Sequence, residues 1–172
     1  PAVMCSELFP MSKATHYLEV TLDELKSLCE EHCCIFVLRL DNVKSKFSYD
    51  NYISKSKCGE CDGAIVNNGR IVEASHIMTV CTELDLAIIE KTYSYNLTSI
   101  RHVYAYKKAY LPKAFIEVIL KLYDNKCKLK GVKGKEVEYM QSKAMLNSLY
   151  GMCVTNIVKE NITYSDDNIT FD

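Results

Sequence analysis

Apolar residues change their spacing along this chain: they run almost unbroken from Cys34 to Leu40, alternate from Ser99 to Tyr106, and return every three or four positions from Phe115 to Tyr150. Each spacing predicts a different element. The continuous run Cys34-Ile-Phe-Val-Leu-Arg-Leu40, followed by turn-prone Asp41-Asn42, predicts a largely buried strand. The alternating run predicts a half-exposed strand with Ile100, His102, Tyr104 and Tyr106 on one face and Arg101, Val103, Ala105 and Lys107 on the other. Leu111-Pro112 ends it, and proline suits the opening of a helix. That helix has Phe115, Ile116, Ile119, Leu120, Leu122 and Tyr123 as its buried stripe and stops near Lys130-Gly131. A second helix spans Glu136 to about Cys153, and the short Gly131-Val-Lys-Gly134 link makes the two antiparallel neighbours.

Polar punctuation predicts the rest. Thr21-Leu-Asp-Glu24 is a capping box for a helix reaching about Glu31. Thr82-Glu-Leu-Asp85 caps another, with Leu84, Ile88, Ile89 and Tyr93 as its apolar face. Asn67-Asn68-Gly69 joins Ala64-Ile-Val66 to Arg70-Ile-Val-Glu73 as a hairpin through a type I′ turn, and His76–Val80 continues the strand. Residues 1–17 read as an irregular or short helical lead-in. Val43 to Gly63 reads as a polar surface excursion with one short strand near Phe47. Ile162-Thr-Tyr164 and Ile169-Thr-Phe171 form a last hairpin. The fold class is therefore α+β: a mainly antiparallel sheet from which an antiparallel helical hairpin projects.

Length and composition narrow the class without changing that picture. At 172 residues the chain fits one domain or part of a larger protein, and 48% hydrophobic with 25% charged residues indicates a globular core. Its apolar runs are far shorter than the ~20 residues of a membrane span, and no secretory leader is visible. Nine cysteines, an odd count that includes adjacent Cys33-Cys34, argue for a reducing cytoplasm rather than a disulfide framework. The Asn-x-Thr sequons at Asn96, Asn161 and Asn168 are then coincidental. Net charge is −1, but its distribution is uneven. Residues 1–112 carry 12 basic and 14 acidic side chains, 113–143 carry 8 and 4, and 144–172 carry 1 and 4. The positive excess gathers at Lys126, Lys128, Lys130, Lys133 and Lys135, a phosphate-facing patch if a nucleotide site follows.

Such a site follows directly. In Lys143-Ala-Met-Leu-Asn147-Ser-Leu-Tyr150-Gly151, spacings of four and three set an ammonium, a carboxamide and an aromatic ring on one stripe of a helix. A lysine reaches a triphosphate, an asparagine donates to phosphate or sugar, and a tyrosine ring lies against a base. This K-x3-N-S-x-Y-G string resembles motif B, the fingers motif of family B DNA polymerases, and its neighbours resemble the protein-primed branch of bacteriophages and linear plasmids. Phe115-Ile116 through Lys130-Gly131 resembles that branch's first fingers helix and connector. Pro1-Ala-Val-Met4 resembles the end of motif A.

The resemblance implies four parts: the end of motif A in 1–11, an insertion between motifs A and B in 12–112, the fingers hairpin in 113–153, and the start of a second insertion or a palm hairpin in 154–172. It implies that Lys143, Asn147 and Tyr150 bind the incoming dNTP, and that Ser148, Gly151, Lys130, Lys133 and Lys135 face DNA. It further implies contact of the first insertion with the terminal priming protein, and enclosure of a DNA template-primer. The family's motif A aspartate and tyrosine would precede Pro1. Motif C has no counterpart, because Ser165-Asp166-Asp167-Asn168 lies too close behind motif B and lacks a flanking apolar strand. The carboxylates that hold Mg would thus lie outside this segment, which is expected to be inactive alone. Two departures stand out: Met152-Cys153 replaces a usual lysine after Tyr-Gly, and Tyr139 stands where a basic residue often precedes the motif lysine.

An RNA-primed family B polymerase and a non-catalytic binding module are the rival readings. Cys58-Gly-Glu-Cys61, with His76 and Cys81, has half the spacing of a zinc site, but a lone CxxC reads better as a surface turn with two ordinary thiols. His16, His32 and His102 have no adjacent nucleophile and are given no catalytic role. Pro1 is better explained by a segment boundary than as an N-terminal catalytic base.

Overall fold

A computed structural model describes residues 2–154, 162–164 and 169–171. It contains two compact units, Glu7–Leu111 and a second made of Pro1–Ser6 with Pro112–Asp172. In the second unit the chain starts with the short helix α1 (Ala2–Ser6). The first unit holds β1 (Phe9–Pro10), β2 (Thr15–Val20), α2 (Leu22–Glu31), β3 (His32–Ser45), β4 (Cys58–Asp62), β5 (Ile65–Asn67), β6 (Arg70–Thr82), α3 (Glu83–Thr92) and β7 (Tyr93–Ala109). All strand pairings in this sheet are antiparallel, in the order β1-β7-β3-β6-β4, with β2 also on β7 and β5 also on β6.

The long apolar run becomes the middle of the sheet because β3 is flanked on both sides, by β6 with Val37 opposite Val80 and by β7 with Leu38 opposite Ile100. Period-two alternation then turns Cys34, Phe36, Leu38 and Leu40 into the core, where they meet Leu25 of α2 and Leu86 and Ile89 of α3. Each such side chain removed from water contributes about 1.5–3 kcal/mol. Both capping boxes form: Thr21 Oγ1 accepts from Glu24 N and Thr82 Oγ1 from Asp85 N, while each carboxylate accepts from the threonine N–H. The β5–β6 hairpin closes through Asn68 (φ 47°) and Gly69 (φ 74°), the positive pair a type I′ turn requires.

Several expectations need correction. Residues 1–17 hold the expected short helix at Ala2–Ser6, but the rest is not irregular: β1 and β2 both pair with β7, and their mostly exposed positions explain why no apolar period announces them. The excursion from Val43 to Gly63 is not all surface. Phe47 lies in a bend rather than a strand, whereas Ile53 and Asn51 are buried. The buried Tyr93 hydroxyl ties this segment to β6, accepting from Ile53 N at 3.2 Å and donating to Ile71 O at 2.7 Å. A single 3-10 turn (Lys55–Lys57) follows, and Cys58 to Asp62 is strand β4, so the CxxC is not a surface turn. Along β7 the alternation reverses phase. His102 takes φ 50° at a bulge opposite Ile35 to Val37, so Ile100 is buried before it while Val103 and Ala105 are buried after it. In α3 the core face is Leu86 and Ile89, with Leu84 72% exposed, because β6 runs directly into the Thr82 cap and sets the helix rotation.

The second unit holds α4 (Lys113–Leu129) and α5 (Glu136–Val154), packed together as the expected helical hairpin. Pro112 is the N-cap of α4, and Gly131 (φ 76°) and Gly134 (φ 80°) make the left-handed positions of the link. The apolar stripe of α4 is narrower than expected: Ile119 is buried, whereas Leu120 is 52% exposed and Tyr123 is exposed. The last hairpin forms as β8 (Ile162–Tyr164) and β9 (Ile169–Phe171), with Ile162 opposite Phe171. Asp166 and Asp167 lie outside the described residues.

Candidate nucleotide-binding site on the helical hairpin

The start of α5 is pinned by local bonds: Gly134 N donates to Glu136 Oε1 at 3.2 Å, and Lys135 Nζ meets Glu138 Oε1 at 2.6 Å. From there Tyr139, Ser142, Leu146 and Leu149 form the less exposed side of the helix, with Leu146 buried. At about 100° per residue, Lys143, Asn147 and Tyr150 fall within an arc of about 60° beside that side. Lys143 and Asn147 are exposed and Tyr150 is 61% exposed. None of the three side chains makes a hydrogen bond or ion pair among the described residues. The three groups singled out from the sequence therefore share one solvent-facing stripe with their polar atoms unspent.

The flanking candidates differ. Ser148 is exposed, about 100° of helix rotation from Asn147 and so on a neighbouring face. Gly151 lies inside α5, which continues to Val154, so it does not cap the helix, and a Cβ there would meet nothing within 4 Å among the described residues. A glycine that the protein's own packing does not demand leaves room for something outside it. Of the lysines, Lys135 is held by Glu138 and Lys128 by Asp124 at 2.5 Å, while Lys126 sits 5.5 Å over the Tyr123 ring. Lys130 and Lys133 are exposed, with no carboxylate partner among the described residues.

Among the described residues, no three His, Cys, Asp or Glu side chains converge to hold a metal ion. Cys58 and Cys61 pack against the sheet core, where burial pushes the Cys58 thiol up. Cys34 and Cys81 are pushed up to about 12, chiefly by burial, which keeps them as inert thiols.

Two side-chain clusters lay outside the sequence reading. His16 stacks on Tyr104 (4.6 Å between ring centroids) and on His102 (5.8 Å), joining β2 to β7. His76 Nδ1 lies 2.6 Å from Asp41 Oδ1 and its Nε2 is 3.5 Å from Glu60 Oε2, a ladder across β3, β6 and β4 that Arg39 extends by meeting Glu60 at 3.4 Å. Period two put His102 and Tyr104 on one strand face, but strand pairing alone brings in the partners.

With the geometry in place, residues 1–170 match the family described as DNA polymerase type B, organellar and viral. The chain belongs to that family of type B DNA polymerases. Its fold is that of part of Phi29 DNA polymerase. A ternary complex of that enzyme with primer-template DNA and incoming nucleotide substrates matches with a TM-score of 0.65 and 19% identity, over 100% of this chain and 28% of that one. An orthorhombic crystal form matches at 0.64 and 17%, again over 100% and 28%, and a binary complex with primer-template DNA at 0.60 and 18%, over 100% and 27%. The chain thus spans about a quarter of the length of these structures. No curated protein gives a significant sequence match. Among the described residues, no helix is long and apolar enough to cross a membrane.

Proposed function

We propose that this chain is the segment of a protein-primed, DNA-directed DNA polymerase that supplies its fingers helices and the insertion between motifs A and B. The observation that carries this reading is the solvent-facing stripe of Lys143, Asn147 and Tyr150 in a chain of the type B polymerase family. Lys143 neutralises the triphosphate of the incoming dNTP, Asn147 bonds phosphate or sugar, and Tyr150 packs against the nascent base pair. Gly151 and Ser148 leave the template strand room beside that pair, and Lys130 and Lys133, with Lys135, face the DNA backbone. The magnesium ions of the reaction are held by carboxylates elsewhere in the enzyme. The unit Glu7–Leu111 serves as the insertion that meets DNA and the terminal priming protein.

Nucleotide incorporation by the polymerase containing this segment tests the reading. Lys143→Ala removes a charge-assisted contact, and kcat/KM for dNTP should fall about 10- to 150-fold. Tyr150→Ala should raise KM for dNTP. Incorporation kinetics unchanged in both variants, with only DNA association altered, would reduce the segment to a nucleic-acid-binding module.

A further inference from the structure

Away from the helical hairpin, the sheet unit carries a second surface with the chemistry of strand binding. We propose that the loop from Tyr49 to Lys57 and the tip of the β5–β6 hairpin bind single-stranded DNA, with Lys55 and Arg70 on phosphates and the Tyr49 ring against a base. Only the choice of DNA as the strand rests on the polymerase reading.

Charge singles out this surface. Residues 1–112 have an acidic excess, yet the stretch 44–57 holds four lysines against one acid, Asp50, which lines a cleft with Tyr49 and Arg70; Lys44 pairs with Glu73 and Lys46 donates to Glu90 O, so Lys55 and Lys57 are the two left to a ligand. Arg70 joins them from the head of β6. Its guanidinium is oriented, since Nη1 donates to Tyr52 O at 2.7 Å, and it has no carboxylate partner among the described residues. Lys55 is exposed and likewise unpaired there. The two cations are held in fixed relation by the Ser54–Arg70 bridge and by Lys55 N donating to Gly69 O at 3.0 Å.

Shape and polarity agree with the charge. A cleft of about 580 Å³ between Tyr49, Asn51 and Arg70 adjoins a second of about 620 Å³ between Ser54, Lys55 and Arg70, and the two share Asn68 and Arg70. Tyr49 is 73% exposed, and the Phe47 ring is exposed close by. Asn51 is buried, yet its Oδ1 has no hydrogen-bond partner among the described residues. That capacity lies at the wall of a cleft, where a turned carboxamide would accept from a nucleobase N–H, such as N3–H of thymine. An acidic peptide would use the cations but leave the rings and the amide without a role. Alternating phosphates and bases use all three.

Fluorescence anisotropy of the full 172-residue chain with labelled oligothymidylate, over a salt series and without dNTP, tests this. Lys55→Ala should weaken binding and lower the slope of log K against log salt by about 0.7. Arg70→Ala should do the same. Tyr49→Ala should weaken binding about 5- to 100-fold while leaving the slope unchanged. Lys91→Ala, at an exposed lysine elsewhere in the unit, should bind as the parent does. Tyr49 and Lys55 are exposed, so their variants keep the fold, and circular dichroism verifies it. Parental affinity in the Tyr49 and Lys55 variants overturns the proposal, as does failure of the chain to bind the strand at low salt or equal displacement by polyglutamate. Because this assay holds no dNTP, its failure is distinct from a failure of Lys143 in incorporation.

Discussion

The two units use their side chains in opposite ways. In the sheet unit seventeen buried residues from Leu25 to Ala105 form one cluster, and cross-strand pairs such as Asp41–His76 and Lys44–Glu73 occupy polar groups. In the helical unit only Met4, Ile119 and Leu146 are buried among the described hydrophobic residues, and the side chains of the motif's lysine, asparagine and tyrosine make no hydrogen bond or ion pair among the described residues. The core of the sheet unit meets most of its chemistry internally, whereas the α5 stripe, like the rim at Lys55 and Arg70, leaves polar groups exposed. The difference separates stability from function by region: substitutions inside the sheet should be read in unfolding, and those on the α5 stripe in nucleotide use.

The sharpest break of that contrast is a matched pair of truncations. Phe36→Ala empties a position that is 1% exposed and should cost about 3–5 kcal/mol in denaturant unfolding. Leu120→Ala, at a half-exposed position of α4, should cost less than about 0.5 kcal/mol. Equal losses would mean that the helical unit is packed as tightly as the sheet. A smaller effect belongs to the caps. Thr82→Ala removes the acceptor of Asp85 N and should cost about 1 kcal/mol, whereas Lys143→Ala should leave the unfolding midpoint unchanged.

The smallest effect is a pH dependence confined to the sheet. The hydrogen bond to Asp41 holds the His76 imidazole above its ordinary 6.5. Folding therefore gains from protonation: the contribution is complete below about 6.5 and fades as pH rises through the raised value. On the acid side, bonds from His76 and then Thr98 hold Asp41 below 3.8, so that part is present above 3.8 and is lost as pH falls through the lowered value. The thermal midpoint of the parent should thus decline above pH 6.5 more steeply than that of His76→Gln. Identical pH profiles would show that the ladder contributes nothing beyond its geometry.

Local spacing was enough wherever a residue's role depends on near neighbours. Both capping boxes, the Asn68-Gly69 turn, the two helices joined by Gly131 and Gly134, and the shared face of Lys143, Asn147 and Tyr150 all arise within a few residues of chain. Reading failed where a distant partner decided the outcome. Strands β1 and β2 exist because β7 is long enough to pair with them, and the alternation along β7 reverses because β3 is one residue short opposite His102. Tyr93 and Ile53 are buried through bonds that connect residues 40 apart.

From the sequence alone came the class of elements, the antiparallel α+β plan and the shared face of Lys143, Asn147 and Tyr150, because helix period and turn chemistry are short-range properties of the backbone. Tertiary structure alone decided which cations of the sheet unit stand near each other. Lys128 and Lys135 pair with carboxylates three or four residues away, as helical spacing allows, whereas the segments that carry Lys55 and Arg70 are joined by the Ser54–Arg70 bridge, which no spacing reveals. The reason is physical: rotation about a helix axis is set by the chain itself, while strand register is set by whichever partner the rest of the molecule brings alongside.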